Sequence, residues 1–268
     1  MTMAAPLAGT NVIITGGVRG LGRAMSLGLV AAGARVAAIY HAASAAEVAE
    51  FAAAAGENVL PVRCDIADAA QCRAALDAAL EKFGAIHGLV NNAARGMQEI
   101  GPPGAAKRQK FFEIEPASWL GAVGSNLNGA FLMGRLAAPL FLAQGFGRIV
   151  NIGTSFRSMM RGGYSPYGPT KAALEAATVI WAQDLAGSGV TVNVLMPGRA
   201  ADTRMIPPGD VADRAKLLPP ECMVAPICWL MSRAADGVTG RRFSAEDWDA
   251  SLPPDAAAAK ASVPAGWR

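Results

Sequence analysis

Histidine is nearly missing from this chain: His41 and His87 are the only two among 268 residues. A His-based metal centre or a Ser-His-Asp triad is therefore hard to assemble. Cysteine is sparse as well. Cys64, Cys72, Cys222 and Cys228 form no Cys-x-x-Cys pair and no zinc spacing. That pattern points to reduced thiols, a cytoplasmic protein and no resident metal. Charged residues are only 17% of the chain and the formal net charge is +3. Lys and Arg are scattered, so no nucleic-acid face is expected. The short run Lys107-Arg108-Gln109-Lys110 reads as a solvated loop. No apolar run has the length of a membrane span, so no membrane association is expected. Residues 1–10 carry no basic stretch of the kind that opens a secretory leader.

What is present is apolar and periodic. Hydrophobic residues make up 52% of the chain, ample for the core of one large domain. Short charge-poor runs at 11–15, 35–40, 59–64, 86–91, 148–152 and 190–196 read as strands. Longer Ala-rich stretches at 20–32, 45–55, 69–82, 118–144 and 167–186 read as helices. The alternation predicts an α/β fold: a Rossmann-type, doubly wound parallel sheet in a single domain over residues 1–248. Residues 95–115 read as an extended loop and 199–220 as a substrate-loop region. Residues 249–268, rich in Ala and Pro, read as an extended C-terminal tail.

Two strings carry chemistry. Thr15-Gly16-Gly17-Val18-Arg19-Gly20-Leu21-Gly22 closes the first strand and opens the first helix. Glycines there let the backbone approach a pyrophosphate, and the helix N-terminus offers free N–H groups. Tyr167-Gly168-Pro169-Thr170-Lys171 puts a phenol and an ammonium four residues apart, on one helix face. A free tyrosine has a pKa near 10 and is a poor base at neutral pH. A neighbouring cation favours the phenolate, so Lys171 is expected to lower the pKa of Tyr167.

The Gly-x-x-x-Gly-x-Gly spacing, followed in order by the Tyr-x-x-x-Lys string, resembles the short-chain dehydrogenases/reductases. The resemblance runs over roughly residues 8–243. It implies a nicotinamide dinucleotide held by Gly16, Arg19, Gly20, Leu21 and Gly22, with Tyr40 and His41 at the ribose. Asp65 and Ile66 would meet the adenine. Asn92, Ala93 and Ala94 match the family's Asn-Asn-Ala-Gly string, with Ala94 in place of glycine. Pro197 and Gly198 would follow the sixth strand, and Thr203 reaches the nicotinamide position one residue late.

By the same resemblance, catalysis would fall to Asn126, Thr154, Tyr167 and Lys171. Alignment back from Tyr167 lands on Thr154 where the family carries Ser, and Ser155 stands beside it as the alternative hydroxyl. Ser155, Phe156, Met159, Met160, Tyr164 and Met205 would line an adaptable, apolar substrate pocket. Lack of an acid at the second strand's end, with Arg19 in the phosphate loop, favours NADP(H) over NAD(H). The expected activity is that of an alcohol dehydrogenase or ketoreductase on a small carbonyl or alcohol, in a homotetramer or homodimer. The rival readings are a catalytically inactive dinucleotide-binding regulator and a non-redox lyase, epimerase or dehalogenase on the same fold.

Overall fold

The computed structural model describes residues 6–100, 109–206 and 213–267. In chain order the elements are β1 (Asn11–Thr15), α1 (Gly20–Ala31), β2 (Arg35–Tyr40), α2 (Ala45–Ala55), β3 (Val59–Arg63), α3 (Ala69–Phe83) and β4 (Gly88–Asn91). Then come α4 (Pro116–Val123), α5 (Gly129–Gln144), β5 (Gly147–Ile152), α6 (Phe156–Met159), α7 (Tyr167–Asp184) and β6 (Val190–Met196). The chain closes with α8 (Val224–Met231), β7 (Arg241–Ser244), α9 (Pro254–Lys260) and β8 (Ser262–Pro264).

The strands form one sheet in the order β3-β2-β1-β4-β5-β6-β7-β8. Every pairing from β3 to β7 is parallel, and β8 runs antiparallel to β7. Successive side chains of a strand point to opposite faces. Val12 and Ile14 accordingly enter one buried cluster and Ile13 the other. Helices cover both faces, which is why β1 is buried along its whole length and reads as a continuous apolar run. The doubly wound single domain expected from the alternation is the one observed.

The sheet order reverses between β1 and β4, so the chain leaves these neighbours in opposite directions and opens a crevice at their C-terminal ends. Local chemistry fixes the surrounding helices. Ser44 and Glu47 form a capping box on α2, and the Asp68 carboxylate accepts from the amides of Ala70 and Gln71 at the start of α3. The single helix expected at 118–144 is α4 and α5 joined by a π-helical turn at Gly124–Asn128, which carries Asn126 inward. Gly129 follows because a Cβ there would lie 2.7 Å from Ile66 Cδ1.

The extended tail expected at 249–268 is not found. Pro254 starts α9, whose Ala257 and Ala258 are buried, and β8 adds an eighth strand to the sheet. Alanine and proline suggested an unfolded segment by composition, but Pro is well placed at a helix N1 position, and small side chains let α9 pack closely. Residues 101–108 of the long loop, with Lys107 and Arg108, and residues 207–212 of the 199–220 region lie outside the described residues. Short 3-10 turns at Met97–Glu99 and Phe111–Glu113 flank the first of these.

The buried indole of Trp229 on α8 donates to Asp255 Oδ1 at 2.7 Å, tying α9 to the core. Asp255→Ala would strand that donor and is expected to cost about 1–2 kcal/mol. Urea unfolding of the variant checks this; an unchanged midpoint would mean that α9 is not docked on α8.

Candidate active site

The phosphate loop follows β1 and is built by close backbone approach. A Cβ on Gly22 would stand 2.0 Å from Gly16 O, and one on Gly17 would stand 2.9 Å from Ala38 Cα. Gly16 and Gly20 adopt φ of +66° and +51°, a region open to glycine. Helix α1 begins at Gly20 without any side-chain cap, so its first amides remain available to an anion. This cradle fits the pyrophosphate of a dinucleotide. The loop after β4 is stitched to it. Thr15 Oγ1 accepts from the amides of Asn92 at 2.9 Å and Ala93 at 3.0 Å, and Asn92 Nδ2 donates to Thr15 O at 2.8 Å.

Beside this junction lies a cleft of about 330 Å³ bordered by Gly16, Tyr40, His41, Asp65, Ile66, Ala93 and Ala94 among others. The structure thus brings together these seven of the residues expected at the cofactor. Leu21 packs against the core. Gly198, with φ of +107°, turns the chain after Pro197. Thr203 rests on the phosphate loop, its Cγ2 being 3.4 Å from a Cβ built on Gly20. A larger groove, about 950 Å³, runs along α1 past Arg23 and Arg204; none of Tyr167, Lys171 and Thr154 borders it.

Arg19 reaches the rim of the cleft, but not alone. Its guanidinium donates to Ala42 O at 2.5 Å and pairs with Glu47 Oε2 at 2.7 Å. Arg204, from the loop after β6, pairs with the other carboxylate oxygen at 2.8 Å. Hydrogen bonds from the Ser44 amide and hydroxyl, with Arg19 beside it, hold the Glu47 carboxyl down at about 2. Sequence reading missed this cluster. The Ser44-x-x-Glu47 spacing was a visible signal for the capping box, whereas the contact to Arg204 spans the fold and left none.

The second group of residues meets at the end of β5. Tyr167 opens α7, and its phenol is hydrogen-bonded with the Thr154 side chain. Ser155 is spent elsewhere: its hydroxyl accepts from Ser158 N at 3.2 Å and caps α6. Of the two hydroxyls left open by the sequence, Thr154 is the one beside Tyr167. One turn along α7, Lys171 is 2% exposed and donates through Nζ to Ile152 O at 2.7 Å.

Burial pushes the Tyr167 phenol up, and the Thr154 hydrogen bond pulls it part of the way back. The lowering expected from Lys171 is not among these influences. The ammonium is engaged by the strand carbonyl, and burial brings Lys171 itself down to about 8. Asn126 is fully used. Its Oδ1 accepts from Arg95 N at 2.7 Å, and its Nδ2 donates to Arg95 O and Thr170 Oγ1, each at 3.1 Å. It therefore joins the loop after β4 to the first turn of α7.

The residues expected at the substrate differ in exposure and in contacts. Phe156 is partly exposed under the Arg242 guanidinium, and Tyr164 accepts a hydrogen bond from Arg161 at 3.3 Å. Met205 Cγ stands 2.5 Å from a Cβ built on Gly96, so the loops after β4 and β6 touch there. Met159 is buried, and Met160 is 76% exposed. Among the described residues no group of His, Cys, Asp and Glu could hold a metal, and no helix is long and apolar enough to cross a membrane.

The family model for short chain dehydrogenase matches residues 10–209. The chain belongs to that family. A short-chain type dehydrogenase/reductase of Picea abies is 34% identical over 73% of this chain and 72% of its own length. Fluoren-9-ol dehydrogenase of a Terrabacter species is 29% identical over 93% of this chain and 78% of its own. Among solved structures, a 3-ketoacyl-(acyl-carrier-protein) reductase from Brucella melitensis, complexed with NADH, superposes with a TM-score of 0.75 at 29% identity. It covers 87% of this chain and 95% of that one. This short-chain dehydrogenase is thus an oxidoreductase of a family that uses a nicotinamide dinucleotide and acts on small molecules.

The buried Lys171 of this short-chain dehydrogenase makes a pH prediction. Its pKa falls from an ordinary 10.5 to about 8 on folding. Below the lower value the folded state bears the full cost of a buried ammonium; above the higher one neither state is protonated and the cost is gone. Relative to Lys171→Met, the native chain should therefore gain about 2–3 kcal/mol between pH 7.5 and 10.5. Urea unfolding across that range checks it, and a constant difference between the two proteins would contradict it.

Proposed function

We propose that the protein is an NADP(H)-dependent alcohol dehydrogenase or ketoreductase in which Tyr167 is the acid/base, assisted by Thr154, Lys171 and Asn126. The observation that carries this reading is the contact of the Thr154 hydroxyl with the Tyr167 phenol just past the C-terminal end of β5. When bound, the nicotinamide supplies or accepts the hydride. Thr154 donates to the substrate oxygen, and Tyr167 gives its proton as negative charge develops there. Lys171 holds the strand end through the Ile152 carbonyl, and its remaining N–H donors would hold the nicotinamide ribose. Asn126 fixes the loop and helix turn on either side of the proton's route. In the reverse direction Tyr167 takes the proton, which a phenol raised by burial does better as pH increases.

The cofactor preference rests on charge at the rim. Two guanidiniums, Arg19 and Arg204, share one carboxylate, Glu47, so this cluster of three carries a net positive charge. The Arg19 side chain is about a third exposed, and a guanidinium so placed suits a 2′-phosphate. Two of the relatives above are named fluoren-9-ol dehydrogenase and 3-ketoacyl-(acyl-carrier-protein) reductase, an alcohol and a ketoacyl group by name, which supports a carbonyl/alcohol substrate here. Phe156, Met160, Tyr164 and Met205 suit an apolar one. Apolar side chains exposed on α5 and α7, including Phe131 and Ile180, support pairing into a homodimer or homotetramer through those helices. Four free cysteines fit a cytoplasmic enzyme.

Initial rates of NADPH and NADH oxidation over a panel of ketones test the reading. Tyr167→Phe should lower kcat by about 10²–10⁴-fold. Arg19→Ala should lower kcat/KM for NADPH by about ten- to a hundredfold and change that for NADH little. Faster native turnover with NADH, or turnover indifferent to Tyr167, would overturn it.

A further inference from the structure

Two cations hold the end of β5. Lys171 donates to the carbonyl of Ile152, and two residues on the carbonyl of Thr154 accepts from Arg242 Nη2 at 2.5 Å. Ile152 closes the register with Leu195 of β6, so Thr154 lies past the last paired residue of its strand. Arg242 comes from β7, one strand further across, where it stands opposite Val194. Its side chain is 3% exposed, and its Nη1 pairs with Glu175 Oε2, a carboxylate with no exposure. Glu175 is one turn beyond Lys171 on the same face of α7, so Tyr167, Lys171 and Glu175 form one line along the helix.

The pair is anchored from its other sides too. Glu175 Oε1 accepts from the Gly266 amide at 3.2 Å, just past β8. The guanidinium lies 4.1 Å from the centroid of Phe156, whose ring in turn meets Trp267 at 6.3 Å. A buried ion pair is a poor means of gaining stability, since two apolar side chains would serve at least as well. What this one provides is location. The planar fork of Arg242 bonds a carboxylate and a carbonyl at once, which fixes its orientation. A peptide plane held at Thr154 O restricts ψ of Thr154, and rotamer choice depends on φ and ψ. A β-branched side chain then has few χ1 settings left.

We propose that Arg242 is a positioning residue for Thr154: by gripping the Thr154 carbonyl it fixes the direction in which the Thr154 hydroxyl meets the Tyr167 phenol, with Glu175 and the Gly266 amide locking the guanidinium in place. The proposal rests on the reading of Thr154 and Tyr167 as the catalytic pair. It also gives the C-terminal segment a part in the site, because β8 and Gly266 brace the carboxylate that holds Arg242.

Two variants separate positioning from folding. Arg242→Lys keeps a cation for Glu175 but lacks the second arm of the fork. The double substitution Glu175→Leu with Arg242→Met removes the pair and leaves no orphan charge. Ionisation of Tyr167 is read as the tyrosinate absorbance of each protein minus that of the same protein carrying Tyr167→Phe. The other ionisable groups near this phenol are Tyr164, Lys171, Glu175 and Arg242 itself, and Thr154→Val supplies the reference for loss of the hydroxyl. Both variants should move the Tyr167 titration to higher pH by about 0.5 or more, as Thr154→Val does. Arg242→Lys combined with Thr154→Val should move it no further than Thr154→Val alone. Ketone reduction by Arg242→Lys should lose about ten- to a hundredfold in kcat with the KM for NADPH unchanged. Titrations that coincide with the native protein, or shifts that add in full when combined, would overturn the proposal. A native protein without Tyr167-dependent turnover would overturn the proposed function instead, while the absorbance titration still decides the role of Arg242.

Discussion

The ammonium of Lys171, buried and set on the carbonyl of Ile152, fixes the rotation of α7 against the end of β5. With that phase set, the first turn of the helix brings Tyr167 to Thr154, and the third turn brings Glu175 to Arg242 on β7. Three residues at helical spacing thus each meet a different part of the strand end. The interaction is costly, because burial disfavours the charged form of Lys171. Such costs are common where geometry serves chemistry rather than stability.

The other half of the site depends on the sheet order. Only between β1 and β4 do successive connections diverge, and the phosphate loop and the Asn91–Ala94 string both sit at that point. Asn126 joins this half to the Tyr167 group. It binds the backbone of Arg95, just after β4, and the hydroxyl of Thr170 in the first turn of α7. A π-helical turn between α4 and α5 provides the place for it. The pairing of β4 with β5 sets the spacing of the cleft and the Tyr167 group, and this buried amide adds a second tie between them.

The alternation of apolar strands and Ala-rich helices made the layered fold legible in sequence, since the central strands β1, β4 and β5 are buried along their whole length. The glycines at 16, 20 and 22 and the Tyr167/Lys171 spacing were legible because each lies within one local segment. What was not legible depends on contacts between distant segments. Nothing near Arg242 announces Glu175, and nothing near Glu47 announces Arg204. Alanine and proline at 249–268 suggested an open chain, because composition cannot show that α9 docks on Trp229. Proximity in sequence also misjudged the phenol. Lys171 is in line with Tyr167, yet its ammonium is given to a carbonyl; burial raises the Tyr167 phenol, and the Thr154 hydrogen bond offsets part of that rise.

The central claim is that Thr154 and Tyr167 hold a carbonyl oxygen while a hydride arrives from the neighbouring dinucleotide. Deuterium transfer tests it most directly. The protein is incubated with NADPH deuterated at C4 and a ketone that it reduces, and the product is examined by mass spectrometry and NMR. The account predicts deuterium on the carbinol carbon, a primary isotope effect on the rate, and loss of both transfer and turnover in Tyr167→Phe. Tight NADPH binding with no label passed to any ketone, or label transfer undiminished in Tyr167→Phe, would contradict it.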